Sequence, residues 1–496
     1  MEPAGTLERG LAVLRALSAA PAHRMRATDL VRETGLARAT VDRVLATLIK
    51  IGHLRAEGRD VLLAPRLMEL GEAYLTCSGL RDTLTPIAER LAADLDESVS
   101  LAVRDGAGIR FVVQVTRRRT MSVAFRVGDL LPAERCAAGL SLLDPGAPYA
   151  LDDQLIEPGL IAVALPVRDR DGQPACAVSV VSHTSRHTAA GLAAHALPRL
   201  REAVKEMEAA LSAPLPPPQP SPQPSPQRPS GVDVSRPLKE ELGAGYLQSL
   251  ARGLAVLVSL GTARGGLTLA GSAKVTGLPR ATIRRAVQTL ERLGYAAADG
   301  ARFVLLPKVM ELGYAALSGR TFGEIVQPHL ADLVARVRES ASVAVLAGDD
   351  VVYVARVATM SIMTVDITVG TRFPAYATSM GRVLLAGRPE AMPTSGLRPL
   401  TRHTITSPGQ LAQAVRRAAA DGYALVDQEL EEGVRSIAVP VHDRDGRVVA
   451  AVNVATHASR AAVADLMRDV LPELKETAAR IEADLAHTRA LNVSTR

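Results

Sequence analysis

The stretch "TGLARATVDRVLATLIK" runs from Thr34 to Lys50 and has the pattern of a helix-turn-helix motif. Gly35 suits the tight turn between two helices, because glycine adopts positive φ values without strain. Apolar residues then recur at spacings of three and four, which predicts a second helix with one buried face: Val41, Val44, Leu45 and Leu48. The segment "GHLRAEGRDVLL" that follows predicts two short strands joined by a turn at Glu57–Gly58, a wing.

The same pattern occurs twice in the chain. "TGLPRAT" at Thr276–Thr282 repeats the turn 242 residues later, and Asp299–Gly300 repeats the wing turn. Further on, "LPVRDRDG" (Leu165–Gly172) matches "VPVHDRDG" (Val439–Gly446) at a larger offset. The chain is therefore a tandem repeat whose first copy lacks about 32 residues between Leu143 and Ile161. Between the copies, the proline-rich "PLPPPQPSPQPSPQRPS" predicts an extended linker.

Composition narrows the classes of partner. The net charge of +6 permits a polyanionic partner, and the 3% aromatic content with no tryptophan favours duplex DNA over single strands, which are bound by base stacking. No apolar run reaches the roughly 18 residues of a membrane span, and the N-terminus lacks a signal-peptide pattern, so we expect no membrane partner and a cytoplasmic protein. The three cysteines form no C-x-x-C pair.

We find no sequence pattern that supports catalysis. There is no Ser/His/Asp order, no phosphate-binding glycine loop and no pair of histidines at metal spacing. We therefore predict no catalytic residues, no metal site and no cofactor. Two alternative hypotheses for the function of the whole chain stay open. One is an enzyme fused to DNA-binding modules, and the other is an architectural DNA-binding protein with inactive sensors.

The outward face of each second helix carries the predicted DNA contacts. Arginine and glutamine there can reach base edges in a major groove, and threonine can bond a phosphate or touch a thymine methyl group. The alternative is the solvated face of an ordinary three-helix bundle, but two copies, each with a wing and an excess of basic residues, favour DNA. The candidates are Arg38, Thr40, Asp42, Arg43 and Thr47 in the first copy, and Arg280, Thr282, Arg284, Arg285, Gln288 and Thr289 in the second. Because the two sets differ, we expect an asymmetric operator.

Three stretches in the second copy carry a family resemblance. "ATSMGRVLLA" (Ala377–Ala386), "DGYALVDQELEEGVRSIAVPVHDRDG" (Asp421–Gly446) and "AAVNVATHASR" (Ala450–Arg460) resemble the IclR family of transcriptional regulators. The resemblance implies an α+β multidomain protein with two copies of a winged helix-turn-helix domain plus a GAF-like effector-binding domain. It implies a sequence-specific regulator whose affinity for double-stranded operator DNA is modulated by a small aromatic or short-chain carboxylate, bound in the second effector-binding domain. "YLQSLARGLAVL" (Tyr246–Leu257) and "ELGYAALSG" (Glu311–Gly319) resemble the subgroup that controls aromatic acid catabolism.

The resemblance also implies domain boundaries and an assembly. We expect a first winged helix-turn-helix domain at 1–66, a shortened and degenerate effector-binding-like domain at 67–213, a linker at 214–239, a second winged helix-turn-helix domain at 240–308, and a second effector-binding domain at 309–496. Members of the family act as homodimers, so the chain is either a fused pseudo-dimer or still forms a homodimer. The segments Pro65–Leu75 and Pro307–Leu317 are predicted helices that transmit the effector signal.

The effector pocket implied by the resemblance lies in the second copy. Its polar lining would be Thr378, Ser379, the Met380 amide, Asp427, Ser436 and Asn453, and its apolar wall Ile362, Val365, Phe373 and Val434. Arg435 would either neutralise the carboxylate or brace the loop by pairing with Glu429 or Glu431. In the first copy the loop persists as Cys136–Gly139, but the missing residues are expected to include the counterpart of "DGYALVDQELEEG", of which "DDQLIEPG" (Asp152–Gly159) is a degenerate remnant.

Overall fold

Each copy of the repeat begins with a three-helix module that ends in a wing. The computed structural model describes residues 5–117, 125–213, 243–319, 321–359, 367–460 and 462–486, which belong to two units, Met1–Gly319 and Arg320–Arg496. In the first unit the first module consists of α1 (Thr6–Ala19), β1 (Arg24–Arg26), α2 (Ala27–Thr34), α3 (Arg38–Lys50), β2 (Leu54–Glu57) and β3 (Asp60–Leu63). The strands form an antiparallel sheet in the order β1-β3-β2.

A sensor domain follows the first module. A 3-10 turn at Pro65–Leu67 leads into α4 (Met68–Ser78) and α5 (Leu80–Leu95). The sheet that follows contains β4 (Ser98–Asp105), β5 (Gly108–Val115), β6 (Leu130–Pro132), β7 (Ala150–Asp153), β8 (Leu160–Arg168) and β9 (Pro174–His183), in the antiparallel order β6-β5-β4-β9-β8-β7. Two further helices belong to this sensor, α6 (Ala137–Leu143) and α7 (Ala189–Ser212).

The second module completes the first unit. It consists of α8 (Gln248–Leu260), α9 (Leu269–Thr276), α10 (Arg280–Arg292), β10 (Ala296–Asp299) and β11 (Arg302–Leu305). After the wing come a 3-10 turn at Pro307–Glu311 and the short helix α11 (Tyr314–Ser318). No helix among the described residues is long and apolar enough to cross a membrane.

The repeated "TGL" sequence makes the same turn in both modules. Gly35 has φ +66° and Gly277 has φ +69°, and each donates its N–H to the last turn of the preceding helix. The threonine before each glycine donates its hydroxyl to the same helix, at 2.6 Å from Thr34 to Leu30 O and at 2.7 Å from Thr276 to Ser272 O. The left-handed conformation explains why glycine stands at both positions.

The two modules pack on each other through positions that are counterparts in the two copies. A Cβ on Gly10 would lie 2.2 Å from Leu250, and a Cβ on Gly253 would lie 2.6 Å from Leu7. Leu7 and Leu250 are themselves counterparts, so the contact is made twice around a pseudo-two-fold axis. Tyr314 also donates its hydroxyl to Glu72 Oε1 at 2.8 Å, across 242 residues of chain. Self-complementary contacts of this kind are typical of isologous dimers.

The second unit is a sensor domain built on the same topology. It contains α12 (Phe322–Val337), β12 (Ser340–Ala347), β13 (Asp350–Val357), β14 (Arg372–Pro374), α13 (Ser379–Ala386), α14 (Pro408–Asp421), β15 (Ala424–Asp427), β16 (Val434–His442) and β17 (Val448–His457). Val463–Asp465 and a π-helical turn at Leu466–Val470 lead into α15 (Leu471–Ala486). The strand order β14-β13-β12-β17-β16-β15 repeats that of the first sensor. The long helices α12 and α15 cover one face of the sheet, and α13 and α14 cover the other.

The missing residues of the first copy are not the ones expected. β7 pairs with β8 as β15 pairs with β16, so the counterpart of "ALVDQELEEG" is present as Ala150–Gly159. Only the short segment 144–148 separates α6 from Tyr149, where the second sensor has residues 387–422 before Tyr423. The first sensor has therefore kept its sheet and lost the helix that corresponds to α14.

The predicted transmission helices also differ between copies. The first is α4 after its 3-10 turn, but the second is interrupted at Gly313, which has φ +109°. A Cβ on Gly313 would lie 2.3 Å from the Leu67 side chain of the first copy. The continuous helix expected over Pro307–Leu317 is thus wrong, because the chain turns where it meets the other repeat.

The packing between repeats gives a test of stability. Gly261 has an ordinary φ of −82°, yet a Cβ there would lie 2.3 Å from the backbone Cα of Ala73 in the other repeat. We expect Gly261→Ala to destabilise the first unit by about 1–3 kcal/mol, because backbone cannot move aside as a flexible side chain can. Urea unfolding of the full chain measures it.

The matched control is Gly245→Ala, where an added Cβ meets nothing within 4 Å. Equal unfolding midpoints for Gly261→Ala and the unsubstituted chain would contradict the close approach of the two repeats.

Candidate functional site

Helix α3 presents a basic face whose charge is partly neutralised. Val41, Val44 and Leu48 are buried, whereas Arg38, Asp42 and Arg43 are exposed. Arg38 Nε lies 2.9 Å from Asp42 Oδ1, an ion pair four residues apart on the helix surface. Arg43 donates to the carbonyl of Ala39 at 3.2 Å. Thr40 is half-buried beside them.

Helix α10 presents the corresponding face with more positive charge. Its exposed candidates are Arg280, Arg284, Arg285 and Gln288, with Thr282 and Thr289 half-buried. Arg285 donates to the carbonyl of Ala281 at 3.4 Å, as Arg43 does in the first copy. Within the part of the chain that the structure describes, Arg280 and Arg284 have no carboxylate within ion-pair distance.

The prediction that Thr47 contacts DNA is wrong. Its side chain is fully buried, donating its hydroxyl to Arg43 O at 2.8 Å and accepting the Leu247 N–H at 2.9 Å. Leu247 precedes α8 of the second module. Thr47 therefore holds the two modules together and does not face DNA, because helix α3 turns that position toward the other repeat.

In the second sensor, a polar row crosses the sheet on the face that α13 covers. Arg356, Ser342 and Asn453 are register partners on β13, β12 and β17. Arg356 Nη1 lies 3.4 Å from Ser342 Oγ. Asn453 is only 4% exposed, and its Oδ1 has no hydrogen-bond partner among the described residues. A buried acceptor without a partner is unusual in a folded protein and points to something that the site binds.

The start of α13 supplies hydroxyl groups next to this row. Ser379 Oγ lies 2.9 Å from Ser436 Oγ on β16, so the two candidates meet as expected. Thr378 caps the helix by accepting the Gly381 N–H at 3.0 Å. Met380 is buried in the core beneath α13. Thr378, Ser379, Ser436 and Asn453 thus lie on one side of the sheet.

Aromatic rings form the wall at the other end of the row. Phe373 lies edge-on to Tyr353 with ring centroids 5.8 Å apart. Burial raises the pKa of Tyr353 to about 12, so its hydroxyl stays protonated at neutral pH. Val434 is half-buried on the α13 face of β16, by alternation with Ser436. Ile362 and Val365 lie outside the described residues.

Asp427 and Arg435 lie on the opposite face of the sheet. Side chains alternate along a strand, and Arg435 shares its side of β16 with Ile437 and Val439, which pack under α12 and α15. Arg435 Nη2 lies 2.8 Å from Asp427 Oδ2, and this hydrogen bond lowers the pKa of Asp427. The pairing of Arg435 with Glu429 or Glu431, one of the two alternatives for this residue, is replaced by its pair with Asp427. Neither Asp427 nor Arg435 points toward Ser379.

A buried ion pair that the sequence reading missed fixes the loop before β16. Arg382 on α13 is 4% exposed and its Nη2 lies 2.5 Å from Glu429 Oε2. The same carboxylate accepts the Ile405 N–H at 3.1 Å. In the first copy the counterparts of Arg382 and Glu429 are Leu140 and Leu155.

The equivalent face of the first sensor has lost the guanidinium of the row and the two serine hydroxyls beside it. The row Arg356, Ser342, Asn453 is represented by Gln114, Ser100 and Ser179, which keep the same register. Ala137 and Ala162 stand where the second sensor has Ser379 and Ser436. Asp152 on β7 is 1% exposed, and burial raises its pKa.

The first sensor is also filled by aromatic and apolar side chains. The Phe125 ring stacks on Phe111 at 4.9 Å, and Phe125 packs against the two apolar clusters on either side of it. Burial raises the pKa of the Cys136 thiol to about 11, so it is no nucleophile at neutral pH. Within the described ranges, no group of three His, Cys, Asp or Glu side chains could hold a metal ion.

Arg356 and Tyr353 are site residues that the sequence did not indicate. They stand three positions apart in "VVYVARV", so simple alternation predicts opposite faces, but a bulge that adds Val354 to β13 brings them to the same face. The bulge itself has no clear sequence signal, and it decides which face Arg356 occupies.

Comparison with known proteins identifies both kinds of domain. The IclR helix-turn-helix domain matches residues 6–58 and 249–300, and the C-terminal domain of the bacterial transcriptional regulator IclR matches residues 72–148, 146–209 and 314–483. The Pca regulon regulatory protein of Pseudomonas putida is 43% identical over 235 residues, which cover 46% of this chain and 81% of that protein.

Two further relatives match about half of the chain. The p-hydroxybenzoate hydroxylase transcriptional activator of Acinetobacter baylyi is 33% identical over 243 residues, covering 47% of this chain and 90% of that protein. A crystal structure of a putative transcriptional regulator from Rhodococcus sp. RHA1 is 49% identical, covers 49% of this chain and 99% of that chain, and superimposes with a TM-score of 0.45.

The buried ion pair gives a second test. We expect Glu429→Gln to destabilise the second sensor by about 3–5 kcal/mol, because Arg382 is left charged and buried without its carboxylate. The double variant Arg382→Leu with Glu429→Leu, which installs the residues of the first copy, should recover most of that loss. Chemical unfolding compares the three proteins.

If the double variant unfolds as easily as Glu429→Gln, the loss reflects packing around these positions and not an uncompensated charge.

Proposed function

Because the chain belongs to the IclR family of bacterial transcriptional regulators, we propose that it controls genes of aromatic acid catabolism in response to a small carboxylate. It is a DNA-binding transcriptional regulator with helix-turn-helix and effector-binding domains, and it is not an enzyme. The names of its relatives support the class of genes: one is a Pca regulon regulatory protein and another activates transcription of p-hydroxybenzoate hydroxylase. We place its action in the cytoplasm, where bacterial DNA lies.

The effector site that we propose is the α13 face of the second sensor. The observation that carries it is the row of Arg356, Ser342 and Asn453, with a buried acceptor that lacks a partner. A carboxylate can pair with the Arg356 guanidinium and accept from Ser342, while a ring hydroxyl donates to Asn453 Oδ1. Phe373 and Tyr353 offer the apolar surface that an aromatic ring packs against.

Several of the predicted lining residues keep a place in this proposal. Thr378, Ser379, Ser436 and the Met380 amide border the row, and Phe373 and Val434 form its wall, whereas Arg356 replaces Arg435 as the cation. Asp427 and Arg435 act on the other face, where their ion pair fixes the end of β15 to β16.

The first sensor is proposed to bind no carboxylate. It has Gln114 where the second sensor has Arg356, so it lacks the cation that would pair with a carboxylate. Its role is structural: it shares one continuous apolar core with the two modules of the first unit. One chain should therefore bind one effector molecule.

We propose that a single chain supplies both DNA readers as a fused pseudo-dimer. The supporting observation is the set of contacts between counterpart positions, above all Gly10 with Leu250 and Gly253 with Leu7. In dimeric helix-turn-helix proteins the two recognition helices read half-sites about one helical turn apart. The boundaries that fit this division of labour are 1–66 and 240–308 for the readers, 67–213 for the structural domain, 214–239 for the linker and 309–496 for the sensor.

Effector control requires that binding at the effector site and binding at the DNA-reading helices be thermodynamically coupled. An effector that binds one geometry of the second sensor more tightly shifts the population toward that geometry. If the effector thereby changes the affinity for operator DNA by some factor, DNA changes the affinity for the effector by the same factor. Ligand and DNA binding are then separable by mutation.

The test is effector binding by an Arg356→Gln variant, which carries the residue of the first copy. Isothermal titration with 4-hydroxybenzoate, 3-hydroxybenzoate and protocatechuate should give one site per chain in the unsubstituted protein and at least about 10-fold weaker binding in the variant, since a charge-assisted hydrogen bond is lost. DNA binding without effector should be unchanged.

Arg372→Gln is the matched control, because Arg372 lies on the neighbouring β14 but is half exposed and paired with Asp350 at 3.1 Å. A stoichiometry of two per chain, or equal losses for both variants, would contradict the proposed site.

A further inference from the structure

The two recognition helices, α3 and α10, differ in whether their arginines are paired with carboxylates. On α3, Asp42 lies 2.9 Å from Arg38 and neutralises its charge. On α10 the counterpart of Asp42 is Arg284, and the counterpart of Arg38 is Arg280. The first copy thus has one arginine neutralised where the second has two arginines, neither with a carboxylate partner in the described part of the chain.

The helix before each recognition helix shows the same difference. On α2, Asp29 Oδ1 lies 3.1 Å from Arg32 Nη2, so a second cation of the first copy is paired. On α9 the only charged residue is Lys274, and it has no acidic partner within the described ranges. From α2 to the end of α3 there are four basic and three acidic residues, whereas from α9 to the end of α10 there are five basic and one acidic, and of those five Arg292 is paired with Glu8 of the first module at 2.6 Å.

These charges have different consequences on DNA. Unpaired arginines replace counterions along the phosphate backbone whatever the sequence, so they raise affinity in a strongly salt-dependent way. An arginine already paired to an aspartate displaces fewer counterions, and the aspartate is repelled by phosphates. Asp42 contributes favourably to DNA binding only where its carboxylate accepts a hydrogen bond from a base, such as the amino group of cytosine. Arg38, released from Asp42, can then bond to the edge of a guanine. An exposed ion pair is weak, so matching bases can open it.

We propose that the two readers divide their labour: the second module anchors the chain to DNA by charge, and the first module discriminates sequence through the Arg38–Asp42 pair. This rests on the proposed DNA-binding function and states which copy does what. A homodimer could not separate these tasks, because both of its recognition helices have the same sequence.

The experiment measures the salt dependence of binding to a fluorescein-labelled 40-base-pair duplex of arbitrary sequence, by anisotropy, with the full chain and no effector. We expect Asp42→Asn to steepen the slope of log affinity against log salt by about one, and Asp42→Arg by about two, because each freed or added arginine contributes about 0.9. Arg284→Asp, which places a carboxylate four residues after Arg280, should make the slope shallower by about two.

Glu89→Arg is the control. Glu89 is exposed on α5, and the substitution changes the net charge by the same amount as Asp42→Arg. We expect its slope to equal that of the unsubstituted chain. Equal slopes for Asp42→Arg and Glu89→Arg, or an unchanged slope for Asp42→Asn, would overturn the proposal. A chain that fails to bind any duplex would overturn the DNA-binding function itself, so the two failures are distinguishable.

Selection from duplexes with a random central region tests the discriminating role. The unsubstituted chain should recover one strongly specified half-site beside a weakly specified one, and Asp42→Arg should relax the strongly specified half. Two equally specified half-sites in the unsubstituted chain would contradict the division of labour.

Discussion

The close approach of the two repeats is the constraint on which the rest of the first unit depends. Small residues face large ones at counterpart positions, so that Gly10 admits Leu250 while Gly253 admits Leu7. Gly261 lies against the backbone of Ala73, and Tyr314 bonds to Glu72. At Gly261 an added Cβ would meet backbone and push the modules apart, whereas at Gly10 and Gly253 it would force a leucine side chain of the other module to move. Because the partner is on the same chain, its effective concentration is set by chain connectivity and not by protein concentration.

Covalent fusion removes the requirement that both halves be alike. In a homodimer every substitution appears on both sides of the axis, whereas here each position can change alone. The Arg382–Glu429 pair of the second sensor has become Leu140 and Leu155 in the first, and the cation Arg356 has become Gln114. These changes are consistent with one another: the helix that covers the α13 face is gone, the polar groups beneath it are fewer, and Phe125 fills space beside Phe111. The first sensor retains the sheet and the long helices because those pack against the rest of the first unit.

The sequence predicted those elements of the fold whose periodicity and turn residues lie within one short segment. The glycine turn, the recognition helices and the wings could all be predicted, since each follows from residues close in the chain. Thr47 could not be excluded from the DNA face, because its burial depends on Leu247 two hundred residues away. The faces of Arg435 and Arg356 depend on strand register and on one bulge, which periodicity alone does not specify. Alignment of the two repeats also put the missing residues too close to the C-terminus of the first sensor. They belong before Tyr149, but "YALDDQLIEPG" matches its counterpart only at scattered positions, so the sequence did not show that this segment is present.

Native mass spectrometry of the full chain with a duplex recovered by selection from random DNA tests the fused pseudo-dimer most directly. One chain carries two recognition helices in modules that already pack on each other, so we expect the smallest stable complex to contain one chain and one duplex with both half-sites. Gly261→Ala, which strains the contact between repeats, should lower the yield of that complex. A smallest complex with two chains on one duplex would contradict the account, because it would mean that each chain reads a single half-site.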